Sequence, residues 1–173
     1  METADLAALG STAVKGLTTA QIVALTTAQA AALTTAQITA LTTAQVARLE
    51  TADLQAMPAD LVAALSTAQV ANLGTQQVAA LTTEQVAALS TAQTVALTTA
   101  QVSALGSQHI SALTGPQLEA LTAAQIAVLS SDDMAALGVE QVAELSTGQL
   151  QRFAANQIAA IGTDQIAALA SSQ

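Results

Sequence analysis

Large apolar residues return at every eighth position along this chain of 173 residues. With Met1 as position one, Leu9, Leu17, Leu25, Leu33, Leu41, Leu49, Met57 and Leu65 follow, and the frame runs unbroken through Phe153, Ile161 and Leu169. Position six is nearly as strict, from Leu6, Val14 and Ile22 to Ile166, with Ala30 and Thr94 as its departures. Position five is usually Gln, position eight usually Ala, and positions two and three are mostly Thr, Ser or Gly. The unit is plainest between Leu17 and Arg48, where LTTAQIVA, LTTAQAAA, LTTAQITA and LTTAQVAR stand in tandem.

One continuous helix does not fit this period. Eight residues advance about 800° around a helix axis, so the apolar stripe would rotate by roughly 80° per repeat and no partner could follow it. A β-solenoid with three octads per coil fits in length, but positions one and six have opposite parity, and Ala, Leu and Gln are poor strand formers. A short helix per octad, broken and restarted, satisfies the pattern. The expectation is therefore an all-α solenoid of about 21 eight-residue repeats spanning residues 1–173 as a single array. Positions one and six lie inside it, with Thr and Gln at the turns.

The start of each helix is marked by a capping box, Thr followed three residues later by Gln, as in Thr18 with Gln21 and Thr42 with Gln45. The second hydroxyl, Thr19 or Thr43, is the competing N-cap. Two observations favour that later start: Pro116 then falls on the first helical residue, and Asp60, Glu84, Asp132, Glu140 and Asp164 meet the positive end of the helix dipole. Gly10, Gly74, Gly106, Gly138 and Gly162, all at position two, predict a left-handed residue that closes the preceding helix. Helices of about six residues do not survive alone in water, so stacking must hold them, and Ala at position eight lets consecutive helices approach. MPADLVAA, residues 57–64, moves the acid and the leucine one place forward, to Asp60 and Leu61, with Pro58 in the linker, and reads as a local adjustment of the helix start and not as a boundary, because Leu65 resumes the frame. The chain stops in mid-octad at Gln173, as a segment of a longer array would.

Composition narrows the chemistry. The hydrophobic share is 52%, charged residues are 9%, and Phe153 is the one aromatic residue, so the core must be thin and built from small aliphatics. Net charge is −9, with Lys15, Arg48 and Arg152 the fixed cations. Phosphate neutralisation and anionic lipid surfaces both need clustered Lys and Arg, so neither nucleic acid nor a membrane surface is an expected partner. Mean hydropathy is +0.52, yet Thr and Gln interrupt every apolar run before it reaches the length of a membrane span. There is no cysteine for a disulfide or a thiolate metal site, and METADLAALGSTAV lacks the basic and apolar regions of a signal peptide.

No catalytic, cofactor-binding or metal-ligating set emerges, and no enzyme or cofactor is expected. His109 takes the place of a capping Gln and has no second ligand for haem. Asp132 and Asp133 are adjacent acids at a helix start, read as partners of its dipole. Ser and Thr are abundant without a base to activate them, and the acids follow no calcium-loop motif. Arg48 and Arg152 share position eight, on solvated helix ends. Repeated Thr at positions two and three, with the recurring Gln, could form a repetitive Thr/Gln face for ice, glycan or protein, although capping gives each hydroxyl a local partner. The array ends could also self-associate.

LTTAQVAR, LTTEQVAA and LSTAQVAN resemble the octapeptide repeats of very large bacterial secreted or surface proteins labelled adhesins or haem-utilisation exoproteins. The resemblance covers essentially the whole chain and implies a structural spacer at the cell surface or outside the cell, with chemistry located elsewhere in the polypeptide. Leu81 to Leu89, LTTEQVAAL, also looks like the opening of a TAL-effector DNA-binding repeat, but those repeats are about four times longer and bind a polyanion, so that activity is not carried over. A consensus-like engineered array would share the unbroken frame, and the irregular octads from Gly106 to Ser131 argue against it.

Overall fold

A computed structural model describes residues 2–173 of the chain; Met1, which opens the octad frame, lies outside the described residues. Among the described residues there are 21 helices and no strand, one helix per octad, each of four to six residues. The chain forms two compact units, Met1–Leu89 and Ser90–Gln173. The first contains α1 (Thr3–Ala8), α2 (Ser11–Lys15), α3 (Thr19–Val23), α4 (Thr27–Ala31), α5 (Thr35–Ala40), α6 (Thr43–Val46), α7 (Thr51–Ala56), α8 (Ala59–Ala63), α9 (Thr67–Ala71), α10 (Thr75–Ala79) and α11 (Thr83–Ala88). The second contains α12 (Thr91–Ala96), α13 (Thr99–Ala104), α14 (Ser107–Ala112), α15 (Gly115–Ala120), α16 (Ala123–Ala127), α17 (Ser131–Ala136), α18 (Val139–Ala143), α19 (Thr147–Leu150), α20 (Ala155–Ala160) and α21 (Thr163–Ala167).

The helix starts one residue earlier than Pro116 and the acids had suggested. Thr42, at position two, is the N-cap of α6 with extended backbone, φ −73° and ψ 158°. Its hydroxyl accepts the Gln45 N–H at 3.2 Å, and Gln45 Oε1 accepts the Thr42 N–H at 2.7 Å. Thr43 is already helical. Pro116 is the second residue of α15, where its missing N–H is still one of the four that a helix start leaves unpaired. The position-four acids sit in the first turn under either start, as Asp60, Glu84 and Asp132 show.

The position-two glycines are not left-handed. No described residue has positive φ, and Gly10, Gly74, Gly106, Gly138 and Gly162 are N-caps with φ between −66° and −81°. The link needs no left-handed residue because two extended residues make it. Leu89, for example, ends α11 at φ −61° and ψ 140° while its N–H donates back to Val86 O at 3.2 Å, and position two then caps the next helix.

Packing joins helices three apart, not consecutive ones. In the first unit α1 meets α4, α2 meets α5, α4 meets α7, α6 meets α9, α7 meets α10 and α8 meets α11; in the second α12 meets α15, α14 meets α17, α17 meets α20 and α18 meets α21. Each unit is thus an α-solenoid whose chain passes over itself after a little more than three octads. Ala at position eight lies beside this contact, at the helix end, and is half-buried or exposed.

The core is the expected double column. Position six is mostly enclosed, with Ile22, Val46, Val78, Leu118 and Met134 at 0% exposure, and Leu residues at position one from Leu25 to Leu145 are nearly so, whereas Leu9, Leu17 and Leu169 at position one and Leu150 at position six are half-buried. Ala30 and Thr94 are enclosed in the same column, and the Thr94 hydroxyl donates to Ser90 O at 3.0 Å, which satisfies it without a partner outside the helix. Around Pro58, the N-cap of α8, Leu61, Val62 and Leu65 are all buried, so the frame holds through MPADLVAA. Ile158 and Ile166 depart from the pattern at 45% and 46% exposure, because no later octad of this sequence lies over the last coil to cover them.

Candidate functional site

The side chain with the most directional chemistry in most octads is the position-five amide, and beyond the first octads it is enclosed and not at a turn in the solvent. Gln37, Gln85, Gln101, Gln125 and Gln157 are all at least 97% buried. Gln85 shows why. Its Oε1 accepts the Thr82 N–H at 2.9 Å, which completes the capping box, and its Nε2 donates to Leu54 O and Met57 O, both at 2.7 Å. Leu54 and Met57 lie 31 and 28 residues earlier, at the carboxyl end of α7, four octads back.

The same fork recurs at the same spacing. Gln45 reaches Val14 O and Leu17 O, Gln69 reaches Ile38 O and Leu41 O, and Gln77 reaches Val46 O and Leu49 O. In the second unit Gln125 reaches Thr94 O and Leu97 O at 2.9 and 2.8 Å, and Gln157 reaches Ile126 O and Leu129 O at the same two distances. A helix end leaves carbonyls without intrahelical partners, and a carboxamide is the one common side chain with an acceptor on one atom and two donors on the other. One Gln therefore joins the start of its own helix to the end of the helix one coil below. Gln21 has no residue 31 places before it in this sequence, and it is exposed.

The residues singled out from the sequence take up parts of this arrangement. His109 is 3% exposed, and its Nδ1 accepts the Gly106 N–H at 3.1 Å, so it stands in for the capping Gln as expected and its proton is on Nε2. Asp132 and Asp133 both lie in the first turn of α17 but do not form a pair: Asp132 is exposed, whereas Asp133 is buried and accepts from Ser130 N at 2.8 Å and Ser107 Oγ at 3.0 Å. Arg48 and Arg152 are exposed at position eight, and Lys15 closes α2. Asp53 was not anticipated. It is 2% exposed, its Oδ2 has no hydrogen-bond partner, and burial raises its carboxyl above the ordinary value, opposed by the Glu50 N–H and assisted by the Glu50 charge.

The first unit also carries an open groove of about 560 Å³, bordered by Ser11, Thr12, Lys15, Thr39, Thr43 and Ser66. Among the described residues no helix is long and apolar enough to cross a membrane, and no three His, Cys, Asp or Glu side chains converge as a metal site would require.

Octads that start with a hydroxyl cap and tie back through a buried amide define a class, the short-helix α-solenoid built from tandem repeats. The chain belongs to the family described as ALTTAQ repeat, whose pattern matches residues 1–35, 46–91, 82–115 and 116–147. Comparison with curated proteins and with solved structures gives no match. The chain is thus a repetitive structural region, and its expected repeat character holds across nearly its whole length.

Proposed function

We propose that the array is a spacer or scaffold of a large bacterial surface or secreted protein, without catalysis or cofactor of its own. The amide fork carries this reading. An octad with Gln at position five spends that amide on the coil beneath it, so adding such octads adds length under the same local rules, as in other solenoids. The resemblance to adhesin-like and haem-utilisation exoproteins supports the extracellular setting. Spin labels flanking a variable number of inserted octads test it. A separation that rises in proportion to the number of octads, with a narrow distribution, supports a stiff spacer; growth as the square root of that number, as in a flexible chain, refutes it.

A second reading, a binding module for ice, glycan or protein, draws on the hydroxyls at position three. Thr19, Thr83, Thr91 and Thr99 are exposed, and the groove beside Lys15 adds an ammonium to a hydroxyl wall. The buried position-five Gln side chains, such as Gln85 and Gln125, contribute nothing to such a face. Ice-recrystallisation and glycan-array measurements on the chain decide this reading, and silence in both ends it.

A further inference from the structure

Asp53 stands where the pattern places glutamine. It is the third residue of α7, the place from which glutamine closes the capping box elsewhere, and α7 has no such box. Its Oδ2 is enclosed and meets no donor. The 31- and 28-residue register that the intact forks keep makes the carbonyl oxygens of Ile22 and Leu25, at the end of α3, the counterparts for this octad. Where every complete fork supplies two N–H donors to the coil beneath, this carboxylate supplies none.

Asp133 shows how the fold accommodates the same replacement. Ser107, 26 residues earlier, donates its hydroxyl to the Asp133 carboxylate. The residue 26 before Asp53 is Thr27, at the start of α4, which packs on α7; its hydroxyl does not supply that bond. No compensating charge is at hand either. Glu50, the N-cap of α7, is the other titratable group on this element; α3, α4 and α10 contain none, and α11, tied to the end of α7 through Gln85, adds only the exposed Glu84.

We propose that Asp53 is a proton-operated latch: as the neutral acid it donates from Oδ2 toward the carbonyl ends of α3 and closes this coil, and as the carboxylate it holds the coil apart. Burial, which raises the Asp53 carboxyl, acts in the same direction, because the folded chain then binds this proton more tightly than the unfolded chain does. The latch contribution is complete below the ordinary value of 3.8 and is lost as pH rises through the raised folded value.

Urea unfolding of the whole chain from acid to neutral pH, compared with Asp53→Gln and Thr27→Val, tests the latch. Asp53→Gln restores the repeat residue and its two donors. It should raise the folded-to-unfolded ratio about five- to thirtyfold at neutral pH, with the advantage shrinking toward acid pH. Hydrogen exchange should follow, with protection of the Leu54 and Met57 amides gained in Asp53→Gln at neutral pH. An advantage that stays constant with pH overturns the proposal. So does a loss of stability in Thr27→Val confined to neutral pH, which would make Thr27 the donor. Calcium or sodium that stabilises the wild type at neutral pH and leaves Asp53→Gln unchanged also overturns it, because a cation then fills the space in place of the proton.

Discussion

An amide that spans two helices has its orientation fixed by its surroundings. The N-cap N–H can face only the oxygen and the carbonyl ends can face only the nitrogen, so Gln85 has one satisfied arrangement and its flipped form has none. Gln85→Glu keeps the shape and the cap while replacing two donors by an anion. It should lower stability by about 2–4 kcal/mol at neutral pH through unpaired carbonyls and a desolvated charge. Acidification should recover much of this loss, since the buried acid is favoured in its neutral form, and urea unfolding at two pH values reads both effects. Gly74→Ser should act in the opposite direction. Gly74 caps α10 at φ −68° with ordinary space around a new Cβ, so serine adds a capping acceptor and restricts the unfolded chain, for a gain of about 0.5–1 kcal/mol in the same measurement. The interior role of the amide was only partly legible in what position five omits, since Asp5, Asp53 and Asp133 bring a shorter carboxylate there. A capping box accepts Glu as readily as Gln, yet none of the octads has Glu there, and His109, the imidazole among the Gln residues, is another side chain with an acceptor at one end and a donor at the other. The partner carbonyls 28 and 31 residues away were not legible, because no local pattern encodes which coil lies beneath.

Helices this short depend on the two apolar residues each contributes to its neighbours. The helical reading, the double apolar column and the capping box all followed from one period, and the structure keeps them. Two details did not follow. Glycine after a helix usually signals a left-handed stop, but here Leu at position one already ends the helix in extended conformation, so Gly10 and its counterparts act as starts. The small Ala at position eight suggested contact between consecutive helices, whereas two extended linking residues carry each helix away from the last and bring it over the third one back. Val102 is 1% exposed and Leu97 4%. Replacing either by Asp places a charge in a column of aliphatic side chains and should lower stability by several kcal/mol, on the order of 3–5. Hydrogen exchange should show lost protection concentrated in α12 and α13 and in the helices packed on them, α15 and α16.

Within each unit, stability is close to a sum of octads and of the ties between them, and that makes the frame more important than any one residue in it. Deleting Leu65–Asn72 as a block brings Gln77 to the register that Gln69 now holds, over Ile38 and Leu41. The shortened chain should remain helical and unfold cooperatively. Deleting Ala71 alone should be worse, although it removes one methyl side chain, because every fork that bridges the site is then one residue out of step. Circular dichroism during urea unfolding compares the two directly, and equal losses would contradict the register. The two forms of damage have a counterpart in the gene. An amide reach of 31 residues lets about four octads span any single point, so a slip of one codon during replication disturbs several ties at once. A slip of one whole repeat disturbs none, and an array of this kind can lengthen or shorten between generations by recombination among its own near-identical units while each resulting protein still folds.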